Sequence, residues 1–164
     1  MSTVPSTSSI NLTRTDGDPL RLSRTETTPE FFTMFGARPH LGRLLVDGDL
    51  NNTGIAVVTY PFWRDVLGAD PDVVGTTMII DDEPMEIVGV LSEDFVQPTQ
   101  LGEPDFYRPM DWTAPPLRST GYHAHSVTAR LKPDVTLEQA NEQIDRVEAD
   151  VAAAFPEYYD EGPQ

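Results

Sequence analysis

The sequence contains no cysteine and a single lysine, Lys132. The first absence removes disulfides, thiolate nucleophiles and cysteine-rich zinc sites together. It leaves the redox compartment open, because an extracytoplasmic domain can also fold without disulfides. The second leaves arginine as ten of the eleven basic residues. Long apolar runs are missing too: none exceeds five residues, against the ~20 needed to cross a bilayer, so the chain as it stands reads as soluble. Residues Met1 to Ser9 have neither basic charge nor an apolar stretch and do not form a signal peptide. The expectation is a cytosolic chain, or one whose targeting element lies outside it.

Acid is what the sequence has in excess. Twenty-seven Asp and Glu against eleven Arg and Lys leave a formal charge of −16 over 164 residues, where a small domain usually carries a magnitude of about 2–8. Such a polyanion is repelled by nucleic-acid phosphates and by anionic lipid headgroups, which excludes nucleic acid as a partner. The charge is uneven: residues 1–60 are close to neutral, 61–110 carry −9 and 111–164 carry −6. Arginine in place of lysine fits a GC-rich genome, or a high-salt one that favours carboxylate surfaces. With 38% hydrophobic residues and 14 aromatics the chain can build a core, so the acid belongs to its surface.

Patterning predicts an α+β domain. Residues 1–18 read as a frayed start or edge strand, and Leu20 to Glu26 as a strand. Thr28 is placed to cap a short helix with Pro29 in its first turn, Phe31, Phe32, Met34 and Phe35 inside and Gly36 at its end. Ile55 to Val58 is a fully buried strand, and Thr59 caps a second helix from Tyr60 to Leu67 that stops at Gly68. Thr76–Ile80 and Met85–Leu91 flank an acidic tip and form a hairpin. A long irregular stretch from 92 to 120 contains one short strand at Asp105 to Arg108, and Tyr122 to Lys132 is another strand. Last, Thr136 and Gln139 form a capping box for a helix at 137–155, whose apolar positions recur at steps of three and four.

Candidate chemistry is sparse. Asp47-Gly48-Asp49-Leu50-Asn51-Asn52 resembles the opening of a Ca²⁺ loop, but Asn52 stands where glycine is needed and Val58 where a bidentate Glu is needed. A solvated turn fits better. His123 and His125 lie two apart in a strand and share a face; a metal-dependent hydrolase built on them would need a third ligand, and no Asp or Glu adjoins the pair. A nucleophile elbow and a phosphate loop are both absent. No catalytic residue, cofactor or metal is assigned. A secreted ligand-binding module is a third reading, which requires a deep apolar pocket.

The order of the chain's punctuation carries a resemblance. Phe31-Phe32-Thr33-Met34-Phe35-Gly36 through Leu41-Gly42-Arg43, then Val57-Val58-Thr59-Tyr60-Pro61-Phe62-Trp63-Arg64, then Gly68-Ala69-Asp70-Pro71 through Gly75 appear in sequence. Met85 through Val88-Gly89-Val90 to Phe95 and Pro98, and Arg130-Leu131-Lys132-Pro133 through Ala140, complete the series. Together they resemble the MacB-like periplasmic core domain of FtsX-like ABC transporter permeases, with Thr59 and Asp134 departing from its usual Ser and Gly. The matching residues Phe32, Gly36, Gly42, Arg43, Phe62, Trp63, Gly68, Gly75, Gly89, Phe95, Arg130 and Leu131 suit structural roles: glycines for helix ends and turns, Gly89 for a bulge or close backbone approach.

The resemblance implies a non-enzymatic, extracytoplasmic domain tethered by transmembrane helices outside this chain. It implies a membrane-proximal part from 1–44 and 121–157, an inserted β-rich part at 45–120 and a tail at 158–164. The partners it implies are a cytoplasmic ABC ATPase reached through the full permease, a periplasmic adaptor or substrate protein, and a second permease in a dimer. Asp81, Asp82 and Glu83 at the hairpin tip, with the stretch 92–120, are the candidate partner-facing surfaces.

Overall fold

The structure, a computed structural model, describes residues 2–5, 8–13, 20–96, 103–113 and 125–156. Strands β1 (Ser2–Pro5), β2 (Ser8–Thr13) and β3 (Leu20–Thr27) are followed by α1 (Glu30–Met34), β4 (Pro39–Gly42), β5 (Ile55–Val58) and α2 (Tyr60–Asp65). The hairpin of β6 (Thr77–Ile80) and β7 (Glu83–Leu91) precedes β8 (Phe106–Pro109), β9 (His125–Thr128) and α3 (Leu137–Ala154). Helices and strands mix along the chain, an α+β organisation. It divides into two compact units, Met1–Trp112 with Ala124–Thr128, and Thr113–His123 with Ala129–Gln164.

In the first unit β7 is the spine. It pairs with β5 in parallel on one edge; on the other edge β6 lies beside its first half and β4 beside its last three residues. From β5 the pairings run to β8, β3, β2 and β6 and back to β7, so six strands close into a ring. Closure leaves no open edge among the six. Strands from before residue 45, β2 and β3, share this ring with β5 to β8. β1 pairs with β9, Ser2 opposite Thr128 through Pro5 opposite His125.

Alternation along the strands sorts the core. Ile10, Leu12, Leu22, Ala56, Val58, Met78, Ile80, Met85, Ile87 and Phe106 form one buried cluster with Phe62 and Trp63 of α2. Ile55, Val57, Val88, Leu91 and Tyr107 form a second with Phe31 and Phe32 of α1. β5 contributes to both clusters, which is why its four residues are all apolar rather than alternating. The β5–β7 register slips between Ile87 and Gly89. Met85 and Ile87 therefore join the first cluster together with Val90, while Val88 joins the second: one extra residue in β7, a bulge, has reversed the alternation.

Capping at two helix starts differs from the sequence reading. Pro29, not Thr28, is the N-cap of α1, and no side chain caps it. Thr59 is the N-cap of α2 as read, but its side chain makes no capping bond: its hydroxyl and its N–H both donate to the Asp105 carbonyl, at 3.0 and 2.9 Å, because the start of β8 lies within reach. The α3 capping box forms as read, with the Thr136 hydroxyl accepting from the Gln139 N–H at 3.3 Å and the Gln139 side chain accepting from the Thr136 N–H at 3.0 Å.

Candidate functional site

Three of the residues that carry the resemblance, Gly42, Arg43 and Gly89, meet where β4 ends beside β7. Gly42 pairs with Gly89 across the two strands, and neither position has room for a side chain. A Cβ on Gly89 would overlap the Arg43 carbonyl; one on Gly42 would overlap the Val88 carbonyl. Gly42 also has a φ of +64°, in the left-handed region. The close approach lets the Arg43 N–H donate to the Val88 carbonyl at 3.0 Å, which carries the edge of β7 past the end of β4.

Arg43 then anchors the next turn. Its guanidinium grips Asp49 through two bonds, Nη1 to Oδ2 at 2.5 Å and Nη2 to Oδ1 at 3.0 Å. The Val46 N–H donates to the same Oδ2 at 2.8 Å. Asp49 is 7% exposed. Burial pushes its pKa up, but the two Arg43 bonds and the Val46 N–H outweigh that and hold it below the usual carboxylate range.

Aromatic rings fix the helices. Phe31 packs edge-on against Phe32, Phe35 and Phe95 with centroids 5.0–6.3 Å apart, and Tyr107 joins the group, its phenol pKa raised by burial. On the other side Trp63 donates from Nε1 to the Asp70 carbonyl at 2.8 Å and contacts Tyr60 and His40. The second helix is thereby tied to β4 and to the turn that follows it.

At the hairpin tip Asp81 and Asp82 have φ of +47° and +67°, and Ile80 pairs with Glu83. This is the two-residue, primed type of turn. The Asp81 carboxylate accepts from the Asn11 backbone N–H at 3.1 Å, and the Asp81 N–H donates to the Asn11 carbonyl at 3.0 Å. Asp81 thus extends the β2–β6 pairing. Nearby, Glu26 on β3 is bound by Arg108 on β8 and lies 3.4 Å from Arg24. Burial and the neighbouring Arg108 pull the Arg24 pKa down, against the opposing charges of Glu26, Asp81 and Glu83.

Comparison with known proteins places the whole chain. The sequence profile of the MacB-like periplasmic core domain matches residues 2–147. The chain belongs to that family. It is a periplasmic domain of the kind carried by ABC transporter permeases. No curated protein matches the sequence. Among solved structures, 93% of this chain superposes on 67% of the periplasmic region of MacB from Actinobacillus actinomycetemcomitans, with TM-score 0.67 and 17% identity. It also superposes, over 92% of its length and 63% of the other chain, on a domain described as that of a permease protein from Porphyromonas gingivalis, with TM-score 0.71 and 20% identity. The extracellular domain of the noncanonic ABC-type transporter YknZ from Gram-positive bacteria matches 66% of this chain and 53% of its own, with TM-score 0.53 and 15% identity. At these identities the likeness is one of fold.

Of the residues that carry the resemblance, Arg43 and Gly89 belong to the β4–β7 seam, and the others fall into three groups. Phe32, Phe62 and Trp63 are buried, and Phe95 packs on the Phe31 cluster. Gly36, Gly42, Gly68 and Gly75 all have positive φ. Arg130 and Leu131 lie exposed between β9 and α3. Asp81, Asp82 and Glu83 are exposed. His123 and residues 157–164 lie outside the described residues, and His125 is described only through its backbone pairing in β9. Among the described residues no three His, Asp or Glu side chains are grouped to hold a metal ion, and no helix is long and apolar enough to cross a membrane. Two grooves, of about 500 and about 330 Å³, border Pro29–Thr33 with Leu45–Gly48 and the Gly42–Gly75–Val88 notch; both are open to solvent rather than enclosed. Sequence reasoning missed Asp49 as the partner of Arg43 and missed the Arg24–Glu26–Arg108 group.

Proposed function

We propose that this domain is a non-enzymatic part of an ABC-type permease, acting in export or mechanotransmission by docking partners and relaying conformational change. The observation that carries the reading is the use made of the motif residues. Gly42, Gly89, Arg43, Phe62 and Trp63 are spent on backbone seams and packing, as a body that transmits force requires. In this reading the chain is tethered by transmembrane helices outside residues 1–164, works with a cytoplasmic ATPase through the full permease, and pairs with a second permease. The chain ends form the membrane-proximal part. The β1–β9 pairing supports that, since it brings residues 2–5 and 125–128 side by side. Because β2 and β3 share the closed ring with β5 to β8, the inserted part is better drawn from near residue 8 than from residue 45.

The test is a full-length permease carrying Gly89→Ala, with its ATPase. Export is expected to fall to background while ATP hydrolysis persists; unimpaired export with a demonstrably disrupted domain sinks the reading. A partner with a basic face is expected at Asp82 and Glu83. Asp82→Asn with Glu83→Gln then weakens its binding and flattens the salt dependence, whereas Asp81 is excluded from the test because it holds β2.

A further inference from the structure

The closed ring is unevenly stitched. β2 and β3 pair from Ser8 opposite Arg24 to Leu12 opposite Leu20, and β3 and β8 from Arg24 opposite Phe106 to Thr27 opposite Pro109. β7 holds β6 from Glu86 to Glu83 and β5 from Glu86 to Val90. Two joins are shorter. β5 meets β8 only at Val57–Tyr107 and Val58–Phe106, and β2 meets β6 only at Leu12–Ile80 and Thr13–Ile79. The ring is therefore two leaves, β2 with β3 and β8, and β5 with β7 and β6, joined along two short lines.

The two lines are not equally held. At β5–β8, Val58 and Phe106 lie in one buried cluster and Val57 and Tyr107 in the other, so apolar packing covers both faces, and the Thr59 bonds to the Asp105 carbonyl continue the ladder. At β2–β6, Leu12 and Ile80 enter a cluster but Ile79 belongs to neither. Beyond Leu12 that line is held by the reciprocal bonds of Asn11 and Asp81, and Asp81 has a φ of +47°, a strain that parting relieves. Parting β2 from β6 thus gives up packing on one face, where parting β5 from β8 gives up packing on two. Only residues 6 and 7 separate β2 from β1, so a pull on the N-terminal end reaches β2 before any other strand of the ring. We propose that the ring opens along β2–β6, hinging on β5–β8, and that this clasp is where the domain yields when its ends are loaded. The role given to that yielding rests on the permease reading above; the clasp itself does not.

The chain has no cysteine, so single thiols in the same buried cluster report on the two joins. Ile80→Cys sits at β2–β6 and Val58→Cys at β5–β8. Reaction of each thiol with an aromatic disulfide reagent is followed in residues 1–164 at rising urea. The Ile80→Cys thiol is expected to react about 100-fold or more faster than the Val58→Cys thiol, at a rate that low urea barely changes, whereas Val58→Cys follows global unfolding. One rate and one urea dependence for both thiols overturn the proposal, as does faster reaction at Val58→Cys. Hydrogen exchange in the unsubstituted chain decides the matter if either variant fails to fold. The Asn11 and Asp81 N–H groups are expected to exchange about 100-fold or more faster than that of Thr59, whose bond lies at the other join; comparable protection overturns the proposal. A gene product without membrane spans removes the permease reading and leaves these rates as they are, so the two failures are distinguishable.

Discussion

At Gly89 a single methyl group has a large consequence. An alanine there must push the Arg43 carbonyl away and so separate β4 from β7. Gly89→Ala is expected to cost about 3 kcal/mol, whereas Gly75→Ala, with open space around it but a φ of +87°, should cost about 1–2 kcal/mol from backbone strain alone. Urea unfolding of both variants measures the difference. Asp49 sets a pH dependence. Its folded pKa lies below the usual value, so the folded state binds fewer protons than the unfolded one through that range. The stability it confers is present above about pH 4 and lost as pH falls through the depressed folded value. Melting temperatures from pH 6 to pH 2 should fall less for Asp49→Asn than for the parent, although the variant is less stable at pH 6. Gly89 was legible because a glycine inside an apolar strand marks a bulge or a close backbone approach, and β7 has both at that point. Asp49 was not: six residues from Arg43, in a run of Asp and Asn, it looks like any solvated turn, and only the folded backbone brings the guanidinium over it.

At the scale of elements the β6–β7 hairpin stores strain in a place that can be relieved. Asp81 and Asp82 both take left-handed φ, which a β-carbon disfavours. Bonds to Asn11 offset that strain at Asp81; at Asp82 only the turn itself holds the backbone in place. Asp82→Gly, giving the preferred Asp-Gly pair of this turn, should raise stability by about 0.5–1 kcal/mol. Asp81→Ala should lower it by about 1 kcal/mol, and thermal melts of the two variants should therefore move in opposite directions. The hairpin, the buried β5 and the capped α3 were readable because each is specified by neighbours in sequence. Ring closure was not, since β3 meets β8 across 82 residues, as Glu26 and Arg108 show, and a local pattern cannot choose which distant edge it joins. The apolar face of α3 was half legible: its period marks the face, but a period says nothing of what lies opposite.

For the whole molecule the question is which electrostatic effect dominates. The charge of −16 repels itself most strongly at low ionic strength, where the screening length is about 30 Å at 0.01 M, and hardly at all at 1 M, where it is about 3 Å. Salt also weakens attractive pairs, but the two that matter, Arg43 with Asp49 and Arg108 with Glu26, each have one side chain no more than 14% exposed and are screened less. Exposed pairs such as Arg64 with Asp65 add little, because water and salt screen them. Relief of repulsion should therefore win. The melting temperature, followed through the buried Trp63, is expected to rise by about 5 °C between 0.01 and 1 M NaCl. Changing Glu138, Glu142 and Glu148 on α3 to Gln removes three charges from exposed positions and should flatten that rise without changing the packed core. A melting temperature that does not move with salt in the parent chain would mean that the carboxylates are spaced widely enough on the surface for water alone to screen them, and the idea of an adaptation to high salt would fall with it.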